Sequence, residues 1–127
     1  MTKRILLVDD LLLDVVLTRR ALEDCDVPHR ILVAGDGEEA WQLVGKQEFD
    51  LILLDIKMPR VDGFELLARL RERAGRPLPA IVLSGSALAA NRARADALGA
   101  IEFVHKALDY GEFRDALKAA LGRHGFC

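Results

Sequence analysis

Short runs of Ile, Leu and Val recur along the chain, and their length and spacing constrain the fold more than any other feature. Each run is too short for a helix of ordinary length, and few polar residues interrupt it. Runs of this kind suit strands that are buried on both faces, as in a parallel sheet. They lie at residues 5–8, 30–34, 51–54, 80–83 and 101–104. The sequence therefore predicts five buried strands.

The segments between these runs have the spacing of amphipathic helices. Apolar residues on two predicted helical faces recur at intervals of three or four, with charged residues opposite. They are Leu66, Leu67 and Leu70 in one segment and Phe113, Leu117 and Leu121 in the other. Asp109, followed by Glu112, predicts a helix start. Gly99 predicts the end of a weaker, alanine-rich helix over 87–98.

The alternation of strand and helix predicts an α/β fold with right-handed crossovers and helices on both faces of a parallel sheet. For five strands we expect the flavodoxin-like order 2-1-3-4-5, in one domain over residues 1–127 with no output domain. Ligands in such folds bind beyond the carboxyl ends of the strands. The residues that follow the strands are therefore the candidates for function.

Composition excludes several other classes of protein. Hydrophobic residues make up 51% and charged residues 30% of the 127 residues, a balance typical of a globular chain. The net charge of -2 gives no general attraction to nucleic acid or to an anionic membrane. The apolar runs are too short to span a bilayer, and we expect no signal peptide.

The two cysteines, Cys25 and Cys127, lie far apart in the sequence. We expect them to form neither a disulfide nor a pair of metal ligands, with Cys25 a small buried apolar residue. A reducing cytoplasm is then the expected location.

Polar residues stand where four of the predicted strands end. Asp9 and Asp10 follow the first strand, Asp55 the third, Ser84 the fourth and Lys106 the fifth. Three carboxylates at one edge repel one another unless a counter-charge is present. A site that offers only a few protein oxygens, with water as the remaining ligands, suits Mg²⁺ better than Ca²⁺. A carboxylate can attack phosphorus while a metal neutralises charge, so the set suits phosphoryl transfer to Asp55.

Four segments with these residues at their centres resemble the signatures of bacterial two-component response-regulator receiver domains. The segments are 8–10, 54–63, 83–85 and 103–106, and the resemblance extends over about residues 4–121. It implies that Asp55 is the phosphoacceptor. It also implies that Asp10, Asp55 and the backbone carbonyl of Lys57 bind Mg²⁺ directly, with Asp9 acting through water.

The same resemblance implies roles for the remaining residues and for partners. Ser84 and Lys106 would hold the phosphoryl group, and Phe103 matches an aromatic position that turns inward when the hydroxyl residue moves. The phosphodonor would be a sensor histidine kinase or a histidine phosphotransfer protein, with a downstream protein as target and a homodimer as a plausible assembly. Residues 17–22 resemble the stand-alone regulators that partner phytochrome-type kinases.

The chain departs from the receiver pattern at three places, one of which is Ser84, where Thr is commoner. Ala107 follows Lys106 where receivers have Pro, and a cis bond before a non-proline residue costs ~2.5–4 kcal/mol, so we expect a trans bond. With a trans bond, it is open whether the Lys106 side chain reaches Asp55 in the way it does in other receivers. Leu11, Leu12 and Leu13 follow the acidic pair, and they are either buried under the first helix or part of a docking surface.

Several alternatives remain open at this point. Ser84 could cap a helix, Asp9 and Asp10 could be a solvated helix start, and Phe103 could be an ordinary core residue. The chain could also be a receiver-like interaction module that acts without phosphorylation. A nucleotide- or flavin-binding domain has less support, because no G-x-G-x-x-G or Walker A segment follows the first strand.

Overall fold

The computed structural model describes residues 2–58, 62–73, 77–86 and 88–127, in which strands and helices alternate. The strands are β1 (Lys3–Val8), β2 (His29–Ala34), β3 (Leu51–Asp55), β4 (Ala80–Ser84) and β5 (Glu102–His105). The helices are α1 (Leu12–Glu23), α2 (Gly37–Lys46), α3 (Gly63–Glu72), α4 (Ala89–Ala97) and α5 (Tyr110–Arg123).

The sheet is parallel, and its order is β2-β1-β3-β4-β5. This confirms the predicted fold class and strand order. The register aligns the carboxyl ends of the strands, because Val8 pairs with Leu54 and Ser84 pairs with His105. Residues that end or follow these strands therefore meet at one edge.

Two apolar layers cover the sheet, one on each face. Leu6 and Val8 of β1 pack in a layer with buried residues of α2, α3 and α4. Ile5 and Leu7, which point to the other face, pack with buried residues of α1 and α5. The alternation of strand side chains thus places helices on both faces, as the sequence predicts. The helical residues predicted to face the core are buried, apart from the half-buried Leu70.

The predicted signals mark the helix ends. Asp109 caps α5, since its Oδ2 accepts a hydrogen bond of 2.9 Å from the Glu112 amide. Gly99 follows α4 with a φ of 94°, a conformation that glycine adopts at little cost. The helix α4 begins at Ala89, while Ala87 lies outside the described residues.

None of the helices in the described part of the chain has the length and apolar character needed to cross a membrane.

The expectation for the cysteines is wrong, because Cys25 and Cys127 form a disulfide across a Cα–Cα distance of 4.8 Å. Cys25 follows the end of α1, and α1 packs against α5 on the same face of the sheet. After α5 the chain turns back, and the Phe126 amide donates to the Leu121 carbonyl. The cysteines therefore give no support for a reducing compartment, and a cytoplasmic location stays a prediction.

Candidate functional site

The residues that follow the predicted strands come together at one edge of the sheet. Asp9 follows β1, Asp55 ends β3, Ser84 ends β4 and Lys106 follows β5. The Lys106 amide donates to the Ser84 carbonyl at 2.7 Å, which extends the pairing of β4 and β5. A cavity of about 550 Å³ opens beside them, and Asp10, Asp55, Ser84 and Lys106 are among its lining residues. The structure thus places the five predicted site residues together.

Three carboxylates form the acidic part of this site. Asp9, Asp10 and Asp55 each offer an oxygen, and these atoms lie within 4.8 Å of one another. Asp10 is exposed, whereas Asp9 and Asp55 are only 2% and 8% exposed. Burial of Asp9 excludes a solvated helix start as its setting. A compact set of carboxylate oxygens is the donor chemistry that a hard divalent cation requires.

Opposing effects act on the Asp55 carboxyl. Burial raises its pKa, the Lys106 ammonium lowers it, and the neighbouring Asp9 carboxylate raises it. The net result is a raised pKa. The Lys57 amide donates to Asp55 Oδ1 at 3.4 Å. Asp55 therefore contacts the Lys57 amide and the Lys106 ammonium. A further positive charge beside it would be stabilised by the carboxylates of Asp55 and Asp9.

Lys106 reaches the carboxylates along a trans path, since the Lys106–Ala107 bond is trans as predicted. Its Nζ atom lies 2.8 Å from Asp9 Oδ2 and 3.3 Å from Asp55 Oδ2. Burial lowers the pKa of Lys106, but hydrogen bonds to Asp9 and Asp14 and the nearby Asp55 raise it to about 12. Lys106 is therefore a fixed positive charge in this site.

Asp14 is a site residue that the strand-end argument missed. Its Oδ2 accepts a hydrogen bond of 2.9 Å from Lys106 Nζ. Asp14 lies in the first turn of α1, four residues after Asp10. Asp10 precedes α1, so helical spacing does not relate the two acids, and the sequence offered no signal beyond an acidic residue in the first turn of that helix.

Ser84 is buried, and its hydroxyl accepts a hydrogen bond of 3.0 Å from the Ser86 amide. It does not cap α4, because Leu88 precedes that helix. The alternative of an ordinary helix cap is therefore wrong.

Gly63 allows α3 to begin directly against the strand that carries Asp55. A Cβ atom at this position would lie 2.5 Å from the Asp55 carbonyl oxygen and 2.7 Å from the Ile56 Cα. The Gly63 amide donates to the Ile56 carbonyl at 2.9 Å. Pro59, Arg60 and Val61, which belong to the same sequence motif, lie outside the described residues.

Phe103 lies away from the carboxylates, beside a second cavity between α4 and β5. Its half-buried ring is 4.9 Å from the Arg92 guanidinium carbon. The ring also packs against the apolar layer that contains buried residues of α2, α3 and α4. The inward movement of Phe103 stays a prediction.

The leucines after the acidic pair are exposed, which excludes their burial under the first helix, while a docking surface stays a prediction. Leu11, Leu12 and Leu13 are 55%, 78% and 68% exposed. Leu11 and Leu13 line the cavity beside Asp55. They form an apolar rim around a charged centre.

Comparisons with known proteins agree with this geometry. The model of the response regulator receiver domain matches residues 5–118. The response regulator GtcR of Aneurinibacillus migulanus is 35% identical over 123 residues, which are 97% of this chain and 49% of that protein. The chain spans about half the length of the first curated relatives that it matches.

Two solved structures are also similar. The phosphorylated cyanobacterial phytochrome response regulator RcpA superposes with a TM-score of 0.84 at 28% identity, covering 95% of this chain and 92% of that one. The Mn²⁺-bound form of response regulator Rcp1 has a TM-score of 0.80 at 26% identity, covering 98% and 93%. With its fold, its strand-end residues and these relatives, the chain belongs to the response regulator receiver domain family.

Proposed function

We propose that this chain is a phosphorylation switch of two-component signal transduction and that Asp55 accepts the phosphoryl group. The observation that carries the proposal is the position of Asp55. Its carboxylate ends a central strand, lies 3.3 Å from the Lys106 ammonium and lines an open cavity. A nucleophilic carboxylate needs this combination of a fixed position, a nearby positive charge and access for the donor.

Mg²⁺ fits the donor set of the site. We propose that Asp10, Asp55 and the backbone carbonyl of Lys57 would bind it, with Asp9 acting through water. When bound, the ion neutralises the carboxylates and the charge that develops on the phosphoryl oxygens. The compactness of the Asp9, Asp10 and Asp55 oxygens supports this assignment, as does the Mn²⁺ held by the related Rcp1.

In the proposed reaction an oxygen of ionised Asp55 attacks the phosphorus of the donor. The new O–P bond makes an acyl phosphate, while the P–N bond of a phosphohistidine breaks and its electron pair leaves on the imidazole nitrogen. Lys106 stabilises negative charge on one phosphoryl oxygen, and Ser84 offers a hydroxyl to the same group. Ser84 ends β4, which lies next to β3 in the sheet, and Lys106 follows β5, which lies next to β4.

We further propose that the phosphoryl group shifts a conformational balance through Ser84 and Phe103. A phosphoryl group adds charge and acceptor oxygens, so it favours whichever conformation offers donors to them. The similarity to a phytochrome response regulator supports a phytochrome-type histidine kinase, or a phosphotransfer protein, as the donor. The face from β4 to α5 would then bind a downstream protein or a second copy of the chain.

The test is to incubate the protein with Mg²⁺ and acetyl phosphate and to measure its intact mass. We expect a gain of one phosphate in the wild type and in Asp26→Asn, an exposed loop residue that serves as a matched control. The gain should disappear in Asp55→Asn, which keeps the shape of the side chain but removes the nucleophile. A gain that persists in Asp55→Asn would overturn the proposal, as would no gain in the wild type.

An interaction module that acts without phosphorylation has less support, because the nucleophile, the carboxylate cluster, Ser84 and Lys106 are all in place. It predicts equal affinity of wild type and Asp55→Asn for a downstream protein, in the presence of acetyl phosphate. Phosphorylation-dependent binding predicts different affinities.

A further inference from the structure

The Lys106 ammonium is shared unequally among three carboxylates. It donates to Asp9 Oδ2 at 2.8 Å and to Asp14 Oδ2 at 2.9 Å, while Asp55 Oδ2 is farther away at 3.3 Å. An ammonium has three N–H donors, so two of them are engaged by Asp9 and Asp14. The resting position of Lys106 is therefore set more by Asp9 and Asp14 than by Asp55.

Asp14 differs from the other acids in both place and contacts. Asp9, Asp10 and Asp55 lie at strand ends and form the cluster suited to a cation, whereas Asp14 lies on α1 and meets the site through Lys106. Its side chain is 27% exposed, compared with 1% for that of Asp9. Asp14 is thus the partner of Lys106 that can be released to water at the lower cost.

We propose that Asp14 is a positioning residue that holds Lys106 in its resting place and competes with the phosphoryl group for the ammonium. The inference rests on the proposed phosphorylation of Asp55. A phosphoryl oxygen on Asp55 attracts the ammonium toward Asp55, and Asp14, which already accepts one of its N–H donors, opposes that movement. The carboxylate of Asp14 also adds a negative charge near the incoming anion. Asp14 therefore favours the unphosphorylated state.

Removal of the charge on Asp14 tests this competition. In Asp14→Asn, beryllofluoride, a mimic of the phosphoryl group, should bind about 3- to 10-fold more tightly in the presence of Mg²⁺, the order of magnitude expected for the loss of one nearby repulsive charge. Titration calorimetry measures this affinity without any turnover. A residue with only a structural role would weaken binding when replaced, so the sign of the change separates the two roles.

Three further variants make the result specific. Asp14→Glu keeps the charge and should bind beryllofluoride within about twofold of the wild type. Glu23→Gln removes one exposed charge from the same helix, away from Lys106, and should also stay near the wild type. Asp55→Asn should bind no beryllofluoride, which tests the proposed function separately.

An equal or weaker affinity in Asp14→Asn would overturn the role of Asp14 while leaving the role of Asp55 intact. An equal gain in Asp14→Asn and Glu23→Gln would overturn it too, because the effect would then reflect net charge alone. Thermal unfolding checks that each variant is folded. A variant of Asp14→Asn that does not fold is replaced by Asp14→Ser, for which the same gain is expected.

Discussion

Lys106 connects three acids that the chain places on different elements. Asp9 follows β1, Asp14 lies on α1 and Asp55 ends β3. The Lys106 side chain is 12% exposed, so its interactions with these acids are only weakly screened by water. Buried like charges are costly without a counter-charge, which makes this lysine as important for the stability of the resting protein as for its proposed reaction.

The variant Lys106→Met should therefore be less stable by about 2–4 kcal/mol in metal-free buffer, because Asp9 is left buried without its partner. Saturating Mg²⁺ should restore more stability in this variant than in the wild type, since the ion replaces the missing positive charge. Urea unfolding with and without Mg²⁺ measures both effects. Lys46→Met, at an exposed position of α2, is the matched control. Equal Mg²⁺ effects in Lys106→Met and wild type would contradict this role.

The five helices of the described residues begin in two different ways. Aspartates cap α2, α3 and α5, each by accepting a hydrogen bond from the amide three residues later. The residues before α1 and α4 are Leu11 and Leu88, which make no such bond. The presence of a cap does not follow the site, because α3 and α5 have caps although they follow β3 and β5, whose ends also carry site residues. The helix α3 has an aspartate cap, but its close approach to the end of β3 also depends on the absence of a side chain at Gly63.

Gly63→Ala should destabilise the protein by about 1–3 kcal/mol, because its Cβ atom would overlap backbone atoms of Asp55 and Ile56. The acetyl phosphate reaction should also slow, since the overlap falls on the residue that carries the nucleophile. Gly45→Ala is the matched control: nothing lies within 4 Å of its added Cβ. In α2 that substitution should stabilise by about 0.5–1 kcal/mol. Urea midpoints compare the two, and equal midpoints would show that α3 has room at Gly63.

At the scale of the whole molecule, the disulfide joins segments that are 102 residues apart in the sequence. It ties the chain after α5 to the end of α1, beside the apolar layer that these two helices share. Phe126 is buried in that layer, and its carbonyl lies 2.6 Å from His29 Nε2. The disulfide therefore links the two chain segments that lie beside the α1 and α5 layer, on the face of the sheet opposite α2, α3 and α4.

Reduction of this bond should lower the stability of the wild type by about 2–5 kcal/mol, since a cross-link over a long loop restricts the unfolded chain. The double variant Cys25→Ser, Cys127→Ser should show a similar loss and no further effect of a dithiol reductant. Urea unfolding with and without dithiothreitol measures this. Alkylation of both cysteines in the non-reduced protein would contradict the bond.

Much of the fold and of the site follows from local sequence pattern. Continuous apolar runs identify the strands, and the alternation of strand and helix predicts a parallel sheet with helices on both faces. The rule that strand ends converge then brings Asp9, Asp10, Asp55, Ser84 and Lys106 to one edge. Each of these inferences uses near neighbours in sequence or a general rule of topology.

Sequence pattern and general rules of topology were sufficient to predict the strand order and the set of residues at the carboxyl ends of the strands. Three features were visible only in the folded chain: the contact of Asp14 with Lys106, the Cys25–Cys127 disulfide and the exposure of Leu11 to Leu13. All three depend on how α1 lies relative to α5 and the end of β5. That arrangement comes from packing between distant segments, and no periodicity within either segment encodes it.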